Sequence, residues 1–150
     1  MCVIIDANVV VRVFVDEEPS YTSLRQSIVN GRHRLVHGGK LSNELSKVSA
    51  IRRLLVTFYS RGLSRQVPSS PVNALANKLE AAGACTSDDP HIIALATVGH
   101  VRVLCTNDYD LRTDFRNKQL IDKPRGHVYV DDNTSRNLVR YRCQCSSCRG

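Results

Sequence analysis

The run Cys2-Val3-Ile4-Ile5 is apolar without interruption and is closed by Asp6; Val101 to Cys105, with Arg102 alternating in it, leads through Thr106-Asn107 to Asp108. A short apolar run with no polar alternation is the mark of a strand buried on both faces, and such strands belong to parallel sheets covered by helices. The chain has no Trp, 5% aromatic and 42% apolar residues, so Val, Ile, Leu and Ala must fill the core, as they do in α/β folds. Its 150 residues suffice for one domain with one core.

Between these strands the pattern turns helical. Ala7 to Val15 reads as a helix or helical turn, and Pro19-Ser20-Tyr21 opens another that Asn30-Gly31 ends. His33 to His37 is a second strand. From Leu41 onward Leu45, Val48, Ile51, Leu54, Leu55 and Phe58 recur at helical spacing, which predicts one long helix, capped by Ser42 and closed at Gly62. Gly38-Gly39-Lys40 lacks the rest of a phosphate-binding loop and reads as a flexible entry to it. Pro68 to Pro71 is a loop, Val72 to Ala82 a helix, and Asp88-Asp89-Pro90 starts a buried helix that runs to Gly99. A short helix over 110–115 and a last strand over 127–130 complete the order.

The acids fall where such a fold gathers ligands. Open α/β sheets bind beyond the carboxyl ends of their strands, so Asp6 and Asp108 are expected to meet there, joined by Asp89 from a helix start and Glu44 from the Leu41 helix. Carboxylates brought together repel and lose hydration, and a hard cation such as Mg²⁺ or Mn²⁺ offsets both. The pattern points to a metal-dependent hydrolase acting on phosphate. A lone Asp after a strand is more often a turn or helix cap, and Asp88 or Asp110 fits that use. His91 is read as a hydrogen-bonded, partly buried side chain outside the site.

Charge agrees with a polyanionic substrate. The net charge is +7 with 21 Lys and Arg against 14 acids, and six of those acids lie in or beside the proposed cluster, so the remaining surface is strongly basic. Lys40, Arg52, Arg53, Arg61, Arg65, Arg112, Arg116, Lys118, Lys123 and Arg125 are the candidate backbone contacts. No stretch approaches a membrane span, and Met1 runs straight into a strand, so the reading is cytoplasmic and without a membrane partner. Cys2 and Cys105 sit in apolar runs as reduced, packed thiols. Composition shifts after Asp132: residues 1–132 form the domain, and 133–150 a basic tail with Arg136, Arg140, Arg142 and Arg149. Its Cys143, Cys145 and Cys148 are one ligand short of a zinc site that Cys85 or His127 would close, the alternative being a free cysteine-bearing end.

Four segments in this order resemble the PIN-domain nucleases: Ile4-Ile5-Asp6-Ala7-Asn8-Val9-Val10, Asn43-Glu44-Leu45, Asp88 to Ala96, and Thr106-Asn107-Asp108-Tyr109-Asp110-Leu111. The resemblance covers residues 1–131. It implies a three-layer α/β/α sandwich around a mainly parallel sheet, and a Mg²⁺- or Mn²⁺-dependent endoribonuclease. Asp6, Glu44, Asp89 and Asp108 would then be the metal-binding and catalytic acids, Asp110 an auxiliary metal acid, and Asn8 and Thr106 polar supports. Similar small proteins are toxins of toxin-antitoxin pairs, which brings an antitoxin protein and a homodimer in as possible partners beside RNA. A PIN-fold module that binds RNA or protein without turnover is the alternative. A phosphatase with Asp6 as nucleophile ranks last, since Asn8 stands where its acid belongs.

Overall fold

In the computed structural model, which describes residues 2–139, five parallel strands form one sheet in the order β3-β2-β1-β4-β5. In chain order the elements are β1 (Cys2–Ile5), α1 (Ala7–Phe14), α2 (Thr22–Val29), β2 (Arg34–Gly38), α3 (Gly39–Ser46), α4 (Ser49–Ser60), β3 (Ser64–Val67), α5 (Ser69–Ala81), α6 (Pro90–Gly99), β4 (Val103–Cys105), α7 (Tyr109–Arg116), β5 (His127–Tyr129) and α8 (Asp132–Ser135). Single 3₁₀ turns at Pro19–Tyr21 and Arg136–Val139 precede α2 and follow α8. The expected α/β class with a parallel central sheet is what the chain adopts, in layers consistent with an α/β/α sandwich. Among the described residues no helix is long and apolar enough to cross a membrane.

β1 is the central strand because all four of its residues are apolar and buried. Val3, Ile4 and Ile5 register with Val103, Leu104 and Cys105 of β4 on one side, and Cys2 and Val3 with Arg34 and Leu35 of β2 on the other. The ladder runs one residue past β1, where the Asp6 N–H donates to the Cys105 carbonyl at 2.9 Å. The chain first builds outward from β1 through β2 to β3, then returns to place β4 and β5 on the opposite side. The reversal leaves a crevice between the carboxyl ends of β1 and β4. Asp6 follows one of those ends and Thr106 to Asp108 the other.

Several sequence expectations are corrected. The single long helix is two: α3 ends at Ser46, Val48 is extended (φ −95°, ψ 113°), and α4 starts at Ser49. The apolar spacing survives the break, so periodicity alone did not register it. Ser42 lies inside α3, 2.7 Å from His37 Nδ1 through its hydroxyl, and Gly38 takes the cap position. β3 was not expected, because Arg65 and Gln66 interrupt its apolar character, as suits an edge strand.

The glycine pair is packed rather than flexible. A Cβ at Gly38 would stand 2.7 Å from the Val67 carbonyl oxygen, and Gly39 has φ +57°, with Val72 and Asn73 of α5 within 3.1 Å of where its Cβ would lie. Absent side chains let α3, which carries Glu44, start directly against β3 and α5. Gly38→Ala is therefore expected to cost about 1–3 kcal/mol by overpacking, read as a lower urea midpoint with an unchanged slope. An unchanged midpoint would show that the backbone yields there.

The packed chain does not stop at Asp132. Asp132 is buried, accepts the Ser23 N–H at 2.7 Å and the Tyr129 hydroxyl, and fastens α8 to α2 and β5, while Val139 joins the core. Thus 133–139, expected as the start of a peripheral tail, is folded structure, held by one buried acid that the basic composition masked. Residues 140–150, with the cysteine trio and its zinc question, lie outside the described residues. Cys105 is a free, buried thiol as expected, and burial pushes it up to about 12. Cys2, expected to be reduced, is disulfide-bonded; apolar neighbours made it read as a packed thiol, but burial does not fix redox state.

Candidate functional site

A cleft of about 290 Å³ opens beyond the carboxyl end of β1, lined by Asp6, Asn8, Val11 and the apolar Leu45, Val48 and Ile51, with Glu44, Lys47 and Asp89. Asp6 enters from the end of β1, Glu44 from the second turn of α3 and Asp89 from the start of α6. Asp108, at the start of α7, adds its charge to both Asp6 and Asp89.

Asp6 and Asp89 both occupy N-cap positions, where an aspartate ordinarily accepts a hydrogen bond from the first turn of its helix. Neither carboxylate makes a side-chain capping bond, although the Ala7 N–H at the start of α1 acts on the Asp6 carboxyl. Asp108 does: its Oδ1 accepts from the N–H groups of Asp110 at 2.9 Å and Leu111 at 3.2 Å. Capping therefore accounts for one oxygen of Asp108 and for neither Asp6 nor Asp89.

The charges in the cleft raise the energy of their ionised forms. Burial, opposed by the hydrogen bonds of Thr106 and the Ala7 N–H and reinforced by Asp108, holds the Asp6 carboxyl above its ordinary value. Burial and then the charges of Asp6, Glu44 and Asp108 do the same to Asp89, with the Lys40 ammonium opposing. The Lys40 Nζ lies 4.0 Å from Glu44 Oε1. Three acids far apart in sequence thus act on a fourth. Among the described residues, however, no three His, Cys, Asp or Glu side chains stand at the spacing of a ready metal site.

Thr106 lies between Asp6 and Asp108. Its buried hydroxyl donates to Asp6 Oδ2 at 2.8 Å and accepts the Asp108 N–H at 3.1 Å, tying the ends of β1 and β4 together. Arg112 steadies the same turn, its Nε donating to the Thr106 carbonyl at 2.9 Å. Asn8 is exposed on the cleft wall and is not among the groups acting on Asp6. Asp110 is exposed and is not among the groups acting on Asp89. Thr106→Val should cost about 1–3 kcal/mol, because a buried carboxylate oxygen and a backbone N–H lose their partner together. Thr106→Ser should restore most of it in the same chemical denaturation; equal losses in both variants would contradict the hydroxyl's role.

Two residues that sequence reasoning left outside belong to the site's framework. His91 is buried, with Nε2 3.7 Å from Glu44 Oε2 and Nδ1 3.8 Å from Asp89 Oδ1. Burial, with the Lys40 ammonium adding to it, pushes the imidazole down to about 4, so it is neutral at physiological pH. Contrary to expectation, His91 Nε2 is buried without a hydrogen-bond partner. The signal was its place two residues after Asp89, on the side of α6 that faces α3. Asp114 on α7 is fully buried and accepts the N–H groups of Thr86 at 2.8 Å and Ser87 at 2.9 Å. The Ser87 hydroxyl in turn accepts the Asp89 N–H at 3.3 Å. Asp114 thereby fixes the loop that delivers Asp89.

Among the basic candidates, Arg52, Arg65 and Arg112 are engaged by the chain itself, Arg52 donating to the Ser46 carbonyl at 3.3 Å, Arg65 to the Gly99 carbonyl at 2.7 Å and Arg112 to Thr106 as above. Comparison with family models, with curated proteins and with solved structures gave no match.

Proposed function

We propose that the chain is a divalent-metal-dependent endoribonuclease whose site is the cleft lined by Asp6, Glu44 and Asp89, with Asp108 adding its charge from beside it. The observation that carries this reading is that Asp6 and Asp89 sit at helix starts without capping them, and that Asp89 is acted on by the other three charges. A fold retains mutually repelling, half-buried carboxylates at a cost in stability, and a bound cation offsets that cost. Their oxygens are the hard donors that Mg²⁺ or Mn²⁺ takes. When bound there, such an ion supplies a water made nucleophilic at neutral pH and charge stabilisation at the phosphate.

The chain's own contribution is positional. Thr106 fixes the orientation of Asp6, the Asp114–Ser87 relay fixes the backbone at Asp89, and the N-cap bonds of Asp108 engage one of its oxygens only. Apolar Leu45 and Ile51, both buried, form one side of the cleft wall and lower its polarity there. The net charge of +7 favours an RNA backbone as the polyanion drawn to it.

One observation favours a second reading, a binding module without turnover: the described residues hold no three groups at metal-ligating spacing. The two readings separate in one assay. Purified chain with single-stranded RNA and Mn²⁺ should yield discrete cuts that EDTA abolishes and that Asp89→Asn loses while its circular dichroism is retained. Retention of RNA in a filter-binding assay without any cleavage would favour the module instead.

A further inference from the structure

We infer that a second cavity, of about 330 Å³ between α5 and the start of α6, is a nucleobase subsite that accepts guanine beside the scissile phosphate, an assignment that rests on the ribonuclease reading of the neighbouring cleft. Its walls carry Lys40 from α3, Asn73, Asn77 and Glu80 from α5, and Asp88 and His91 around the start of α6. The cavity adjoins the carboxylate cleft, with His91 between them: one ring belongs to the cavity wall while its nitrogens lie 3.7 Å and 3.8 Å from Glu44 and Asp89. Lys40 likewise lines the cavity and pairs with Glu44 at 4.0 Å. A nucleotide whose phosphate lay at the carboxylates would have its base within reach of this cavity.

The lining is that of a base reader rather than of a phosphate site. Glu80 and Asp88 are acceptors only when ionised, and they would repel a second anion. Asn73 and Asn77, one turn apart on the same face of α5, each present a donor and an acceptor. Single-stranded RNA is recognised by splaying a base out and bonding its Watson–Crick edge. Guanine is the RNA base whose edge sets two adjacent donors, N1–H and N2–H₂, beside one acceptor, O6. Carboxylates meet the donors and an asparagine amide or Lys40 meets O6.

The test uses the full chain in EDTA, so that it does not depend on turnover. Guanosine and uridine, which carry no phosphate for the metal-free carboxylates to repel, are titrated while the side-chain amide resonances of Asn73 and Asn77 are followed by NMR. Guanosine should shift both amides and bind about tenfold tighter than uridine, and Glu80→Gln, an exposed substitution, should erase that preference. Absence of shifts at Asn73 and Asn77, or the same preference in Glu80→Gln, would overturn the subsite. If the nuclease reading alone were wrong, Mn²⁺ would produce no RNA cuts while the guanine-specific shifts persisted.

Discussion

Asp6→Asn is expected to abolish RNA hydrolysis, by about 10²-fold or more, and at the same time to raise the melting temperature of the metal-free protein near neutral pH. The two effects share one cause. Burial and the charge of Asp108 disfavour ionised Asp6, while Asn keeps the acceptor that the Thr106 hydroxyl needs and carries no charge. Each kcal/mol relieved should appear as a rise of about 2–4 °C. Because the folded carboxyls of Asp6 and Asp89 both titrate above their ordinary value of 3.8, protonating them favours the folded state. That stabilising contribution is complete below the unfolded value and is lost as pH rises through the folded values. The gap in melting temperature between Asp6→Asn and the wild type should therefore close on acidification. A variant less stable than wild type at every pH would mean that Asp6 holds the fold together instead of straining it.

Asp114→Ala carries the largest expected cost in stability, about 3 kcal/mol. Its carboxylate accepts two backbone N–H groups at 2.8 Å and 2.9 Å, and each buried donor left unpaired costs about 1–3 kcal/mol. The loss should be local before it is global: amide exchange at Thr86 and Ser87 should accelerate more than in β1. Hydrolysis should fall as well, because this loop sets the backbone of Asp89 through Ser87. Asp114→Asn, which faces one of the two N–H groups with a donor, should fall between the wild type and the alanine variant in a urea titration. An alanine variant as stable as the wild type would remove Asp114 from the framework of the site.

What could be read from sequence follows from how each feature is encoded. Strands buried on both faces announce themselves as unbroken apolar runs, so β1 and its terminal Asp6 were legible, as was the buried helix that starts at Asp89. The edge strand β3, with Arg65 and Gln66 in its middle, carries no such run and was missed. The break between α3 and α4 was invisible because Leu45, Val48 and Ile51 keep helical spacing across it; what breaks the helix is the extended backbone at Val48. Gly38 and Gly39 announced freedom, whereas the fold uses them for close approach. His91 and Asp114 were passed over for the same reason: a residue's role in positioning another depends on which helix packs opposite, and that is a tertiary fact. At the carboxyl end, basic composition predicted a tail, yet one buried acid, Asp132, keeps the chain packed through Val139.

The central claim is that Asp6, Glu44, Asp89 and Asp108 act as one cation-binding unit at the reversal of the sheet. Calorimetric titration of Mn²⁺ into the metal-free chain tests it most directly. Saturable binding that is lost in Asp6→Asn and in Asp89→Asn is the predicted result. Absence of binding to the wild type, or undiminished binding in both variants, would contradict the account.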